Sequence, residues 1–201
     1  MLIKTTKKLY KGKYQYNIVL VCAFSVVFRG NDLNVTARKI DNEEKLVDTK
    51  WAWKNPLEFA YAKELYNMLI TMDDFSIRVE SPTITCYTNN YSDIIALREI
   101  DISKVRRISV PMVTLTEDSV YMPEIDYEFR VTIGGTKHQY LDFLEWADAI
   151  DKLRITNSCR EMLSQRSSYG GGHFYVNGEN MLLMCRMQLA GINLTVHRIV
   201  H

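Results

Sequence analysis

An α+β fold, mostly antiparallel sheet with helices packed on one face, is what this 201-residue sequence predicts. Three observations predict it. Short runs rich in Val, Ile, Thr and Tyr, the residues that suit a pleated and half-buried surface, recur from "YQYNIVLV" to "LTVHRIV". Between them stand segments with helix-start chemistry, of which "NPLE" is the clearest. In the first half these elements follow the order β-α-β-β-α-β, that of a ferredoxin-like split βαβ unit. The expected division is a ferredoxin-like half over 1–110, a connector over 111–125, and a second α+β half over 126–201 ending in a β-hairpin or meander. One composite domain is the alternative division.

The elements are justified in order. Tyr14 to Phe28 reads as a long strand or a strand pair, and residues 29–50 as a polar excursion or a short marginal helix. Asn55, Pro56 and Glu58 then offer a cap, a first-turn proline and a capping-box partner. Leu57, Tyr61, Leu65, Met68 and Met72 recur at helical spacing and predict a buried face. "FSIRVESPTITCYTNN" gives two strands broken at Ser81-Pro82, because proline cannot donate to a ladder. A helix from Asp93 to about Ile100, capped by Ser92, leads to the strand "VRRISV".

The second half opens on the strand "YEFRVTIGG", followed by a helix over Tyr140 to Ile150 and the short strand "KLRIT". Ser158 and Glu161 match a capping box before a short helix ending near Gln165. Three strands, "HFYV", "MLLMCRMQL" and "LTVHRIV", are expected to close the chain, with Asn177-Gly178 as a hairpin turn between the first two. "WAW" (Trp51 to Trp53) reads as a same-face pair closing the core.

Composition bounds the function. The chain is 47% apolar and 24% charged, ordinary for a globular protein, and its net charge of +1 gives no whole-molecule field for nucleic acid or lipid. An electrostatic partner must therefore be met by a local patch. Four scattered cysteines form no CxxC knuckle and fit reduced, buried thiols in a cytoplasmic setting. The apolar run Ile18 to Phe28 is shorter than the roughly 20 residues a membrane helix needs, so no membrane partner is expected. The four histidines show no metal-ligand spacing, and neither metal nor cofactor is expected. Asp142, Glu145, Asp148 and Asp151 oppose the apolar stripe of their helix and read as its solvated side.

The segment "SQRSSYGGGHFYVNGEN" holds three consecutive glycines after a basic, hydroxyl-rich run. A phosphate cradle would place glycines between a strand and a helix N-terminus, and here the order is helix, glycines, strand. The segment reads instead as a mobile lead into a hairpin, with Arg166, Tyr169, His173 and Tyr175 as one cation and several π-faces for stacking a single strand. Strand alternation turns His173 and Tyr175 outward. Lys4, Lys7, Lys8, Lys11 and Lys13 form an acid-free amino-terminal arm suited to phosphates, and Lys104, Arg106 and Arg107 add a smaller cluster.

"IRVESPTITCYTNN" and "HFYVNGENMLLMCRM", with "EWADAI" and "KLRITNS" between them, resemble parts of small uncharacterised proteins of tailed bacteriophages. The resemblance spans roughly residues 75–200. It implies a viral accessory protein that works in host cytoplasm by binding, and it carries no functional residue over. The expected function is thus a non-enzymatic binding protein contacting nucleic acid or a nucleoprotein through Lys7, Lys8, Lys11, Lys13, Arg166, Tyr169, His173 and Tyr175. A protein-partner or virion component, and an enzyme on nucleotides or phosphodiesters using His138 or His173, are the alternatives.

Overall fold

The β-prone runs pair into two five-stranded sheets, one in each of two units, Met1–Thr114 and Leu115–His201. The computed structural model describes residues 2–30, 32–45 and 55–201, so the Trp51 and Trp53 pair lies outside the described residues.

The first unit runs β1 (Leu2–Thr6), β2 (Tyr16–Val21), a 3-10 turn (Ser25–Phe28), α1 (Leu33–Lys45), α2 (Pro56–Leu69), β3 (Phe75–Glu80), β4 (Thr83–Thr88), α3 (Tyr91–Ile100) and β5 (Val105–Pro111). Its strand order is β1-β5-β2-β4-β3, antiparallel throughout except for the parallel β1–β5 edge. From β2 to β5 the elements run β-α-α-β-β-α-β, one helix more than the expected order, with β1 ahead of them and β4 lying between β2 and β3 in the sheet. Ile18, Leu20, Ile77, Ile84, Cys86 and Ile108 alternate onto one sheet face, where Leu65, Leu69, Ile94 and Leu97 of the helices meet them.

The second unit runs β6 (Ser119–Tyr121), β7 (Phe129–Thr136), α4 (Leu141–Asp148), β8 (Leu153–Ile155), α5 (Asn157–Ser164), β9 (Ser168–Val176), α6 (Glu179–Gln188) and β10 (Leu194–Val200). Its order is β6-β10-β7-β9-β8, antiparallel except for the parallel β6–β10 edge. Val131, Ile133, Phe174 and Val176 meet Phe143, Leu163, Leu182 and Cys185 on the helical face.

Several local expectations are corrected. "MLLMCRMQL" lies mostly in helix α6, not a strand, because its near-continuous apolar run hides a helical stripe of Leu182, Cys185 and Leu189. Gly178, at φ +90°, precedes that helix, so Asn177-Gly178 starts α6 and does not turn a hairpin. Asn90 caps α3, its side chain accepting from the Ser92 N–H, and Thr156 caps α5, accepting from the Cys159 N–H. Asn55 makes no cap bond, and Glu58 pairs with Lys104. Leu57 is 84% exposed, outside the buried face of α2. Within the expected connector, Ser119–Tyr121 is the strand β6.

All four cysteines are free and buried. Burial pushes the Cys22 thiol up to about 11 and those of Cys86, Cys159 and Cys185 up to about 12, from an ordinary 9.0. Their folded values are raised, so the stability they carry is whole below pH 9 and is lost as pH climbs toward 11 and 12. The urea midpoint is therefore expected to fall on raising the pH above 9. A midpoint unchanged across that window would contradict the burial of these thiols.

Candidate nucleic-acid interface

Strand alternation gives each sheet a second face, turned away from its helices. In the first unit one row across that face reads Lys4, Ser109, Asn17, Tyr87 and Ser76, and the next holds Arg107, Val19, Thr85 and Arg78. Residues 7–15, which link β1 to β2, fold over this face as a strap. The strap closes on itself where the Tyr10 N–H donates to the Tyr14 carbonyl at 2.8 Å, around a turn with positive φ at Lys11 and Gly12. Tyr10 and Tyr14 lie 5.6 and 6.3 Å from the Tyr87 ring.

The strap brings its cations with it. Lys11 donates to Ser76 Oγ at 2.5 Å and stands 4.9 Å over the Tyr87 ring. Lys13 pairs with Asp74 at 2.6 Å, which holds the Asp74 carboxyl below its usual range. Arg78 pairs with Glu80 at 2.5 Å. Both pairs are about half exposed or more, so each contributes little and exchanges readily for another anion. Lys4, Lys11, Lys13 and Arg78 are exposed, Arg107 is half-buried, and Lys7 and Lys8 lie in the strap, exposed and half-buried respectively. The expected amino-terminal arm is therefore a strand and a strap, and it adds its lysines to two arginines of the sheet.

In the second unit the corresponding row reads Arg154, Tyr175, Arg130 and His197, with His173, Thr132 and Thr195 beside it. No acidic residue of these strands stands on that face. Residues 122–128 cover part of it, with Met122, Ile125 and Tyr127 packed around Val120, Tyr175 and Ile199. Tyr175 is consequently 5% exposed, and its ring lies 5.8 Å from Tyr127. It points off the helical face as alternation predicts, but residues 122–128, a second strap, cover it and deny it a stacking role. His173 is half-buried, with Nε2 3.2 Å from the Tyr175 hydroxyl.

The glycine segment is a strand, not a mobile loop. Gly134 of β7 pairs with Gly170 of β9, and a Cβ built at Gly170 would lie 2.5 Å from backbone atoms of Gly134 and Gly135. A Cβ at Gly172 would lie 2.7 Å from Cys159 Cα of α5. Close backbone approach accounts for both residues without a ligand. Arg166 is exposed, and Tyr169 is fully exposed and lines an open cavity of about 500 Å³ with Ser158, Gln165, Ser167 and Gly170–Gly172. The predicted site residues thus fall in two places: the lysines on the first unit's strap, and Arg166, Tyr169, His173 and Tyr175 on or just before β9.

Sequence reasoning missed Arg78, Arg130, Arg154 and His197 as a set. Alternation in "SIRVE" and "FRVTI" separates their cations from the core residues on either side, and that was the available signal. The acidic helix face of α4 is exposed, with Asp148 bound by Arg160. Among the described residues no group of three or more His, Cys, Asp or Glu is placed to hold a metal ion, and no helix is long and apolar enough to cross a membrane. No protein-family model matches the chain, and neither does any curated protein or solved structure.

Proposed function

We propose that the chain is a non-enzymatic binding protein that contacts nucleic acid, alone or within a nucleoprotein, through the strapped sheet face of its first unit. One observation carries the reading: Lys4, Lys11, Lys13, Arg78 and Arg107 share that face, where Asp74 and Glu80 pair with two of them. Tyr87 is buried beneath the strap, so the available groups are ammonium and guanidinium heads. Those bind phosphates and position a strand without reading its bases. The resemblance to tailed-phage proteins supports a viral accessory role in host cytoplasm.

A fluorescence titration of the full chain with a labelled oligothymidylate, at low and at moderate salt, tests the reading. Affinity should fall as salt rises, with a log–log slope of about 0.7 per phosphate contact. Lys11→Gln with Arg78→Gln should weaken binding by about tenfold and lower that slope by about 1.4. Absent or salt-insensitive binding would defeat it.

A further inference from the structure

We infer, as a deepening of the nucleic-acid reading and resting on it, that the chain is a tandem duplication of one sheet unit. Its second copy holds a second phosphate-binding face, built from Arg130, Arg154, His173 and His197.

The duplication stands on geometry. Both units begin with an edge strand that pairs in parallel with the last strand, and the remaining strands follow in the same order and directions. The match continues at single residues. Asn89, just after β4, accepts at Oδ1 the N–H of Gln15, the residue before β2, at 3.0 Å. Asn177, just after β9, accepts at Oδ1 the N–H of Glu128, the residue before β7, at 2.9 Å. Each asparagine thus pins the end of a strap. Two residues earlier stand Tyr87 and Tyr175, each on the outer face of its strand and each under a strap tyrosine.

The same spacing that links Tyr87 to Tyr175 links Asn89 to Asn177, and in the following helices it links the buried Ile94 to the buried Leu182 and the buried Leu97 to the buried Cys185. It also links Ser109 to His197, which pair with Asn17 and Arg130 respectively. Shared fold class does not require hydrogen bonds, ring contacts and helix register to coincide in this way. The differences lie in connections, where insertions are best tolerated. The first unit adds two 3-10 turns, Ser25–Phe28 and Ile102–Lys104, and α1, and the second adds α5 between β8 and β9.

Correspondence then defines the second face. Around the central tyrosine, Asn17, Ser76 and Ser109 of the first unit have Arg130, Arg154 and His197 as counterparts. The straps differ in charge. The first strap carries Lys7, Lys8, Lys11 and Lys13, whereas the second carries Glu124, Asp126 and Glu128. In the second unit the cations belong to the strands themselves, and an acidic strap lies across part of their face. That face fits a polyanion of the same class, a single-stranded nucleic-acid backbone, and its strap lowers its affinity relative to the first.

Short oligothymidylate, titrated into the full chain, reads both faces. The wild type should bind one strand per unit, the second more weakly. Arg154→Gln, at an exposed position on the edge strand β8, and its combination with Arg130→Gln should remove the weaker event and spare the stronger. Glu124→Gln with Asp126→Asn should tighten the weaker event several-fold. Circular dichroism confirms that each variant is folded, and Arg154→Gln alone remains informative if the double variant is not. A single binding event unaffected by either arginine change overturns the second face. No binding at all by the wild type would instead overturn the nucleic-acid reading itself.

Discussion

Replacing Gly170 by alanine is expected to destabilise the second unit by about 3 kcal/mol or more. Two independent costs add. The residue sits at φ +86°, in the left-handed region, where a Cβ costs roughly 1–2 kcal/mol. The added methyl would also lie 2.5 Å from Gly134 and Gly135 backbone atoms, which belong to the paired strand and cannot retreat without opening the ladder. Forcing extra volume into such a place costs about 1–3 kcal/mol more. For a unit of this size each kcal/mol lowers the melting temperature by roughly 4–8 °C, so a loss above about 10 °C is expected by circular dichroism. Gly171→Ala separates the terms. It stands at φ +97° with no atom within 4 Å of a built Cβ, and should show only the conformational cost. Equal melting of the two variants would mean that strand contact is not what reserves position 170 for glycine.

What was legible in the sequence follows from how far each determinant lies along the chain. The β3–β4 hairpin and the start of α2 appear where nearby residues place them, the break at Ser81-Pro82 for one and Pro56 in the first turn for the other, although Asn55 makes no cap bond. Helix α6 was not legible as one, because the unbroken apolar run from Met181 to Cys185 blurs the period. The three glycines of β9 were misread for a different reason. Their meaning depends on Gly134-Gly135 of β7 and on Cys159 of α5, neither of which the local motif contains.

The candidate site was legible in kind but not in place. The acid-free run of lysines was visible at once, yet its value comes from the strap that lays Lys11 on Ser76 and Tyr87, contacts across more than sixty residues. Of the arginines that join it, Arg78 stands alone in its strand, and Arg107 belongs to the cluster Lys104, Arg106 and Arg107, but its place on the same face is not given by the sequence. The echo of "CYTNN" in "FYVNG" was in plain view, but Tyr-x-Asn is too short to stand out until strand order and the two asparagine hydrogen bonds give it a structural meaning.

Tyr175→Ala is expected to cost about 3–5 kcal/mol, the range for truncating a large buried aromatic, and to release the strap over the second sheet. Its ring is the common surface on which Tyr127, Val120 and Ile199 meet, so truncation removes the partner of the strap and leaves a cavity beneath it. Tyr175→Phe keeps the ring and loses only the hydroxyl contact with His173, a change of about 1 kcal/mol. Hydrogen exchange of the Glu128 amide, which donates to Asn177, reports the strap directly. It should accelerate strongly in the alanine variant and little in the phenylalanine variant. Because the buried ring fastens an acidic strap across a cationic sheet, the alanine variant should also bind oligothymidylate more tightly at the second face while melting at lower temperature. A true stacking residue would behave the other way, losing affinity with little loss of stability, and that outcome would return Tyr175 to the binding surface.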